Sequence, residues 1–137
     1  MDPRQLTDTL AVAPQIEPED FDALAQAGFT TVIANRPDSE VDPSHQSAAM
    51  AERAAQVGIA YHYLPIVPGQ LGPDQVQRFR AILDEAEGPV LAYCRSGTRS
   101  ATAWALGQSG SRPAREIVEA ARQAGYDLSY LGPMLRD

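Results

Sequence analysis

The segment from Val90 to Ser100 reads VLAYCRSGTRS, so four apolar or aromatic residues run directly into a cysteine, a glycine and two arginines. Its first four residues do not alternate between polar and apolar side chains, which is typical of a strand buried on both faces of a mostly parallel sheet. Apolar residues at helical spacing follow Ser100. We therefore predict a central strand, a loop that begins at Cys94, and then a helix.

Outside this segment, short β-type runs alternate with longer helical patterns, which is typical of an α/β domain. Further strands are expected at Leu10–Ala13, Thr30–Ala34 and Ala60–Leu64, the first of them at an edge of the sheet. Helices are expected over residues 17–28, 44–57 and 73–87, on both faces of the sheet. From Ser100 onward we expect helices broken at Gly110 and Gly125, with no further strand.

Length and composition predict a single globular domain over residues 1–137, since 44% of the residues are hydrophobic and 21% are charged. The net charge of −7 argues against nucleic acid as a partner, because the field of the protein repels phosphate backbones. No apolar run approaches the ~20 residues of a membrane span, and the start of the sequence does not resemble a signal peptide. We therefore expect no membrane partner and a cytoplasmic location.

The basic residues, the cysteine and the histidines exclude several kinds of chemistry. All 11 basic residues are arginine, so Schiff-base and Walker-type lysines are excluded. Cys94 is the single cysteine, which excludes a disulfide within the chain, a zinc finger and a dithiol redox motif. His45 and His62 do not show metal-ligand spacing with it. We expect neither a metal nor another cofactor, and no pattern identifies a protein partner.

The loop after the central strand predicts a binding site for a small anionic substrate. Ligands of open α/β sheets bind at the carboxyl ends of strands, where a loop that enters a helix can direct several N–H groups at one point. Gly97 permits the torsions of such a loop, and Arg99 adds a planar cation suited to an oxyanion. In this field Cys94 is expected to be an ionised nucleophile. Substrate contacts are also expected from Arg95, Ser96, Thr98 and Ser100.

Two alternatives remain open at this point. Ser100 could donate to the Cys94 thiolate or cap the helix that follows the loop. Cys94 could also be an inert, buried structural thiol, as free cysteines often are.

Three segments resemble the bacterial beta-lactamase hydrolase-like, phosphatase-like domain family, and the resemblance extends over residues 4–131. The segments are NRPD at 35–38, YHYLP at 61–65 and CRSGTRS at 94–100. The resemblance implies a fold similar to that of dual-specificity phosphatases, with a small, mostly parallel sheet and a helical C-terminal end. It also implies that Cys94 is the nucleophile, that Arg99 binds the anion, and that Asn35 and Arg36 lie near the pocket rim.

The segment departs from the cysteine phosphatases in the spacing of its loop. Four residues separate Cys94 from Arg99, whereas cysteine phosphatases have five. The shorter spacing resembles that of single-domain rhodaneses, which carry sulfane sulfur on a cysteine.

The sequence also lacks an acidic residue in the loop where a cysteine phosphatase would carry its general acid. The loop from Val67 to Gly72 contains no acidic residue. Asp74 is the nearest candidate for a general acid, although an acid in the first turn of a helix has an ordinary structural explanation. The segment from Asp38 to His45 is expected to be a solvated loop in which Asp38 could orient Arg36.

Three functions are consistent with these residues. The first is a rhodanese-like thiol sulfurtransferase that forms a persulfide on Cys94, since sulfur transfer does not need a general acid. The second is a cysteine-dependent phosphatase that forms a phosphoenzyme on Cys94. The third is a non-catalytic module that binds an anion or a partner.

Overall fold

The structure, a computed structural model, describes residues 1–136. Five strands in this range form one sheet: β1 Arg4–Gln5, β2 Leu10–Ala13, β3 Thr31–Ala34, β4 Ala60–Tyr63 and β5 Val90–Tyr93. Their order is β1-β2-β5-β3-β4, and all neighbouring pairs are parallel except β1 with β2. The prediction of an α/β fold with a small, mostly parallel sheet is confirmed.

Helices cover both faces of the sheet. They are α1 Asp20–Gln26, α2 Ser47–Gln56, α3 Pro73–Glu85, α4 Thr98–Gly107 and α5 Ala114–Gln123. Phe21 of α1 and Met50 of α2 belong to the core on one face. Phe79 of α3, Trp104 of α4 and Ile117 of α5 belong to the core on the other. Short 3₁₀ helices occupy Asp38–Glu40, Pro43–His45 and Ser129–Met134.

Strand β5 lies at the centre of the sheet, as its apolar run predicts. All four of its residues are buried. Leu91 and Tyr93 belong to the core with α1 and α2, whereas Val90 and Ala92 belong to the core with α3, α4 and α5. Because successive side chains of a strand point to opposite faces, a strand between two helical layers has no polar face.

The prediction that Leu10–Ala13 forms an edge strand is wrong. Arg4 and Gln5 of β1 pair antiparallel with Val12 and Ala11 of β2, so β2 lies inside the sheet. A strand of two polar residues has no hydrophobic alternation from which it could be recognised.

The predicted helix 44–57 also begins differently. A 3₁₀ helix at Pro43–His45 and an extended Gln46 precede α2, which starts at Ser47. After β5 the structure shows helices and no named strand up to residue 136, as expected. Among the described residues, no helix is both long and apolar enough to cross a bilayer.

The register of the sheet brings three loops to one edge. Ala13 and Ala34, the last residues of β2 and β3, both pair with Tyr93, the last residue of β5. The backbone N–H of Asn35 then donates to Tyr93 O at 2.8 Å, and that of Gln15 donates to Arg95 O at 3.2 Å. The chain segments after β2, β3 and β5 therefore meet at the carboxyl edge, where ligands of such sheets bind.

Candidate active site

Cys94 follows β5 directly and lies at the bottom of the loop 94–98. Its side chain is fully buried, and the backbone N–H of Gly97 donates to Sγ at 3.1 Å. Gly97 has φ +98°, in the left-handed region that favours glycine, and α4 begins at the next residue. The loop thus folds back over the sulfur, and one of its amides already contacts the thiol.

Arg99, in the first turn of α4, is held by a carboxylate and a carbonyl. Its Nη1 donates to Glu40 Oε2 at 2.9 Å and to Ile66 O at 2.8 Å, and its Nη2 donates to Glu40 Oε1 at 2.8 Å. This bidentate geometry fixes both the position and the plane of the guanidinium. The hydrogen bonds to Glu40 and Ile66 use three of its five N–H groups.

Arg36 binds the same carboxylate from the segment after β3. Its Nε donates to Glu40 Oε1 at 3.3 Å, its Nη2 to Glu40 O at 3.3 Å, and its Nη1 to Gln15 Oε1 at 3.2 Å. Glu40 therefore lies between two arginines. The predictions that Glu40 belongs to a solvated loop and that Asp38 orients Arg36 are both wrong, because the 3₁₀ helix Asp38–Glu40 turns Glu40 inward.

The charges of this cluster influence one another. The hydrogen bond from Arg99, followed by that from Arg36, lowers the pKa of Glu40. The hydrogen bond to Glu40 raises the pKa of Arg99, and the nearby Cys94 contributes in the same direction. Two guanidinium groups against one carboxylate give the cluster of Arg36, Glu40 and Arg99 a net positive charge, although the whole protein carries −7. Such a local field favours binding of a small anion.

Asn35 and Ser100 lie beneath the site, so the structure does not place Asn35 at the pocket rim. Both are fully buried. Ser100 Oγ donates to Asn35 Oδ1 at 2.7 Å, and Asn35 Nδ2 donates to Leu64 O at 2.8 Å. Ser100 thus neither donates to the thiolate nor caps α4, because its hydroxyl is already committed to Asn35. The two residues join β3, the segment after β4, and α4.

Three other acidic residues, Asp38, Asp42 and Asp74, each lie at the start of a helix or bond to one. Asp38 accepts from the backbone N–H and the hydroxyl of Ser47, at the start of α2. Asp42 accepts from Ser44 at the 3₁₀ helix Pro43–His45. Asp74 is exposed in the first turn of α3.

The remaining loop residues face outward. Arg95, Ser96 and Thr98 are exposed, whereas Gly97 is buried. Ser96 Oγ donates to Thr98 Oγ1 at 3.0 Å and accepts from the Thr98 N–H at 3.4 Å, which holds the outer side of the loop together.

A cleft of about 420 Å³ lies beside the loop, with Thr98 and Arg99 in its wall. The rest of its lining is mostly apolar and includes Ile66, Leu71 and Met134. Asp74 does not line this cleft. Among residues 1–136, no cluster of three or more His, Cys, Asp and Glu side chains is arranged to hold a metal ion.

Sequence patterns did not reveal three residues at the site. Gln15 and Glu40 lie in polar segments without periodicity, and Tyr126 follows α5, 32 positions after Cys94 in the sequence. Glu40 is four residues from Arg36, a spacing that often allows an ion pair, but the 3₁₀ geometry of the segment was not predictable.

Residues 2–111 match the sequence profile of the family described as "Beta-lactamase hydrolase-like protein, phosphatase-like domain". The chain belongs to this family. Beta-lactamase hydrolase-like proteins of Xylella fastidiosa (strain Temecula1 / ATCC 700964) and Agrobacterium fabrum (strain C58 / ATCC 33970) are 31% and 29% identical to it over 125 and 126 residues. Each alignment covers 90% of this chain but 29% of the relative, so the chain spans less than a third of these relatives.

Solved structures of phosphatase-like proteins have a fold similar to that of this chain. A protein of Neisseria meningitidis Z2491, provisionally described as a phosphatase, is 32% identical, has a TM-score of 0.85, and is matched over 98% of this chain and 96% of its own. Tk-PTP in its active form is 18% identical, with a TM-score of 0.75 over 97% and 91% of the two chains, and shows the shared fold. The phosphatase-like fold expected from the sequence is therefore confirmed.

Proposed function

We propose that the chain is a thiol sulfurtransferase in which Cys94 is the nucleophile and Arg99 binds the anionic donor. Its phosphatase-like fold and family are typical of enzymes with a cysteine nucleophile. The proposal depends most on the state of the carboxylate beside the site. Glu40 is held ionised by two arginines, and an ionised carboxylate cannot supply a proton to a leaving group.

The anion would bind between the loop and the guanidinium. The Gly97 N–H already donates to Sγ, and the hydrogen bonds of Arg99 to Glu40 and Ile66 leave two of its N–H groups on the side of Cys94 and the anion. The guanidinium N–H groups of Arg99 are suited to the oxygens of a small sulfonate-type group. The exposed Arg95 adds positive potential at the entrance.

The chemical step is a displacement at sulfur. The Cys94 thiolate attacks the sulfane sulfur of a donor such as thiosulfate, and an S–S bond forms as the bond to the sulfonate sulfur breaks. Sulfite leaves with the electron pair and needs no proton. A thiolate or cyanide acceptor then attacks the outer sulfur of the persulfide and restores the Cys94 thiolate.

Phosphate ester hydrolysis is the second candidate, and the comparisons with known proteins support it better than sulfur transfer: the family is described as a phosphatase-like domain, and the Neisseria meningitidis structure is provisionally described as a phosphatase. In this reaction Cys94 would attack phosphorus, the alcohol would leave, and water would hydrolyse the thiophosphate. Departure of an alkoxide gains about 10²–10⁴-fold from a positioned acid. Glu40 is not protonated, and Asp74 does not line the cleft beside Arg99.

One pair of assays tests the proposal with the purified chain and with Cys94→Ser. Thiosulfate with cyanide should give thiocyanate with the wild-type chain and none with the variant. Hydrolysis of an aryl phosphate without any thiocyanate would overturn the proposal in favour of the phosphatase. No product in either assay would overturn both enzymatic functions and favour an anion-binding module.

Asp74 provides a second test. Asp74→Asn should change neither rate by more than about twofold, because Asp74 is exposed at the start of α3. Asp84→Asn, on an exposed position of the same helix, is the matched control. If Asp74→Asn alone abolished aryl phosphate hydrolysis, Asp74 would be a general acid and the second candidate would replace the first.

A further inference from the structure

Tyr126 reaches the cysteine loop from the segment after α5. Its side chain is buried, and its hydroxyl donates to the backbone carbonyl of Ser96 at 3.0 Å. Arg4 of β1 covers the other side of this tyrosine, with its guanidinium carbon 5.3 Å from the ring centre. A cation in this position is attracted by the aromatic face and holds the ring in place.

The hydrogen bond of Tyr126 falls on the peptide that contacts the thiol. The carbonyl of Ser96 and the N–H of Gly97 belong to one peptide group, which is trans like the other peptide bonds described. The two groups of a planar trans peptide point in opposite directions. The Tyr126 hydroxyl therefore donates to the carbonyl oxygen of this peptide, while the N–H of the same peptide donates to Cys94 Sγ at 3.1 Å.

We propose that Tyr126 is a positioning residue that stabilises the Cys94 thiolate through the Ser96–Gly97 peptide. Donation to the carbonyl orients the peptide and strengthens its N–H as a donor, since linked hydrogen bonds polarise one another. The inference rests on the proposed role of Cys94 as a nucleophile. Tyr126 lies outside residues 2–111, the part of the chain that matches the family profile.

Gly97 shows how closely the tyrosine approaches the loop. A Cβ at Gly97 would lie 2.0 Å from Tyr126 Oη, so a side chain at this position and the observed hydrogen bond exclude each other. Burial, the largest effect, raises the pKa of Tyr126. Its hydroxyl is therefore protonated at neutral pH and able to donate.

Tyr126→Phe in the full chain tests this inference, because Phe keeps the ring and removes only the hydroxyl. The readout is the rate at which iodoacetamide alkylates Cys94, measured against pH, and the single cysteine makes the signal unambiguous. We expect the midpoint of the profile to move to higher pH and alkylation below the midpoint to slow about 3–10-fold, the effect of one hydrogen bond. Sulfur transfer at neutral pH should slow by a similar factor.

Tyr61→Phe is the matched control, because it also removes a tyrosine hydroxyl, one that bonds to Tyr93 in the core on the face of α1 and α2, and its alkylation profile should equal that of the wild type. A second variant covers the case in which Tyr126→Phe fails to fold. Site-specific 3-fluorotyrosine at position 126 keeps the shape and makes the hydroxyl a stronger donor, so the midpoint should move to lower pH. An unmoved midpoint in the folded variants would overturn the positioning role.

Alkylation also separates this inference from the proposed function. A shifted midpoint in a chain that transfers no sulfur would support the role of Tyr126 and refute sulfur transfer. Normal sulfur transfer with identical profiles in wild type and Tyr126→Phe would refute only the role of Tyr126.

Discussion

Arg99 and Glu40 form a bidentate ion pair, with Nη1–Oε2 at 2.9 Å and Nη2–Oε1 at 2.8 Å, although 59 residues separate them in the sequence. The side chains are only 16% and 25% exposed. This pair joins the helix after the cysteine loop to the 3₁₀ helix after β3. It sets the direction in which the guanidinium offers its remaining N–H groups.

Replacing Glu40 with glutamine should therefore reduce activity. Glu40→Gln removes the charge that two arginines share, so Arg99 and Arg36 repel each other and Arg99 loses its fixed plane. We expect kcat/KM for thiosulfate to fall about 10–100-fold, as small misplacements of a binding group do. Steady-state kinetics of thiocyanate formation measures this effect.

Glu119→Gln is the control for this prediction. It removes a bidentate pair with Arg122 on the surface of α5, where side-chain exposures are 48% and 68%. Its kinetics should match the wild type. Equal kcat/KM in Glu40→Gln and the wild type would show that Arg99 does not need this partner.

A methyl group at Gly97 should destabilise the protein in two ways. Gly97→Ala places a Cβ in the left-handed region and 2.0 Å from Tyr126 Oη. Gly28→Ala is the control, because Gly28 has φ +94° but nothing within 4 Å of the added atom. We expect Gly28→Ala to lower the free energy of unfolding by about 1–2 kcal/mol. The clash should cost Gly97→Ala a further ~1–3 kcal/mol.

Urea denaturation measures both free energies of unfolding. If the two glycine variants lost the same stability, Tyr126 would not be held against the loop as the structure shows.

The buried hydrogen bond between Ser100 and Asn35 should contribute to stability. Ser100→Ala leaves Asn35 Oδ1 buried without its donor, which costs about 1–3 kcal/mol. Ser129→Ala removes an exposed hydroxyl bonded to Asp127 and should change stability by less than about 0.5 kcal/mol. Thermal melts compare the variants, and similar Tm values for the two would contradict the prediction.

The two histidines should give opposite pH dependence. The hydrogen bond to Glu17, then that to Asp42, raises the pKa of His45. The stability that His45 contributes is therefore complete below its ordinary value of about 6.5 and is lost as pH rises through the raised value. His45→Gln should lower Tm by a few degrees at pH 5.5, from an ion pair of about 0.2–1 kcal/mol, and match the wild type at pH 9.

His62 supplies the comparison, because burial, followed by the charge of Arg78, lowers its pKa. A histidine of this kind costs stability as pH falls, so His62→Gln should gain stability relative to the wild type at pH 5.5. The assignment of the raised pKa to His45 would be wrong if His45→Gln also gained stability at that pH.

The central strand and the cysteine loop could be predicted because their signals are local. The unbroken apolar run of β5, the glycine at position 97 and the arginine at 99 lie within ten residues, and the register of a parallel sheet fixes which edge they occupy. The two-residue β1 gave no such signal, since Arg4 and Gln5 are polar.

The residues that contact the cysteine loop and Arg99 could not be predicted, because only the tertiary fold brings them close. Glu40 and Tyr126 lie 59 and 30 residues from the atoms they contact, and neither occupies a periodic position. Its position near Cys94 in the sequence suggests that Ser100 contacts the substrate, donates to the thiolate or caps the helix, but the fold directs its hydroxyl to Asn35.

The position of β5 between β2 and β3 has a consequence for when the candidate site forms. During synthesis β2 and β3 emerge long before β5, and their inner edges stay unpaired until residues 90–93 insert between them. The insertion that completes the sheet is the same event that carries Cys94 to its amide and its arginine. The contacts through which Cys94 is proposed to act therefore form only when the sheet is complete.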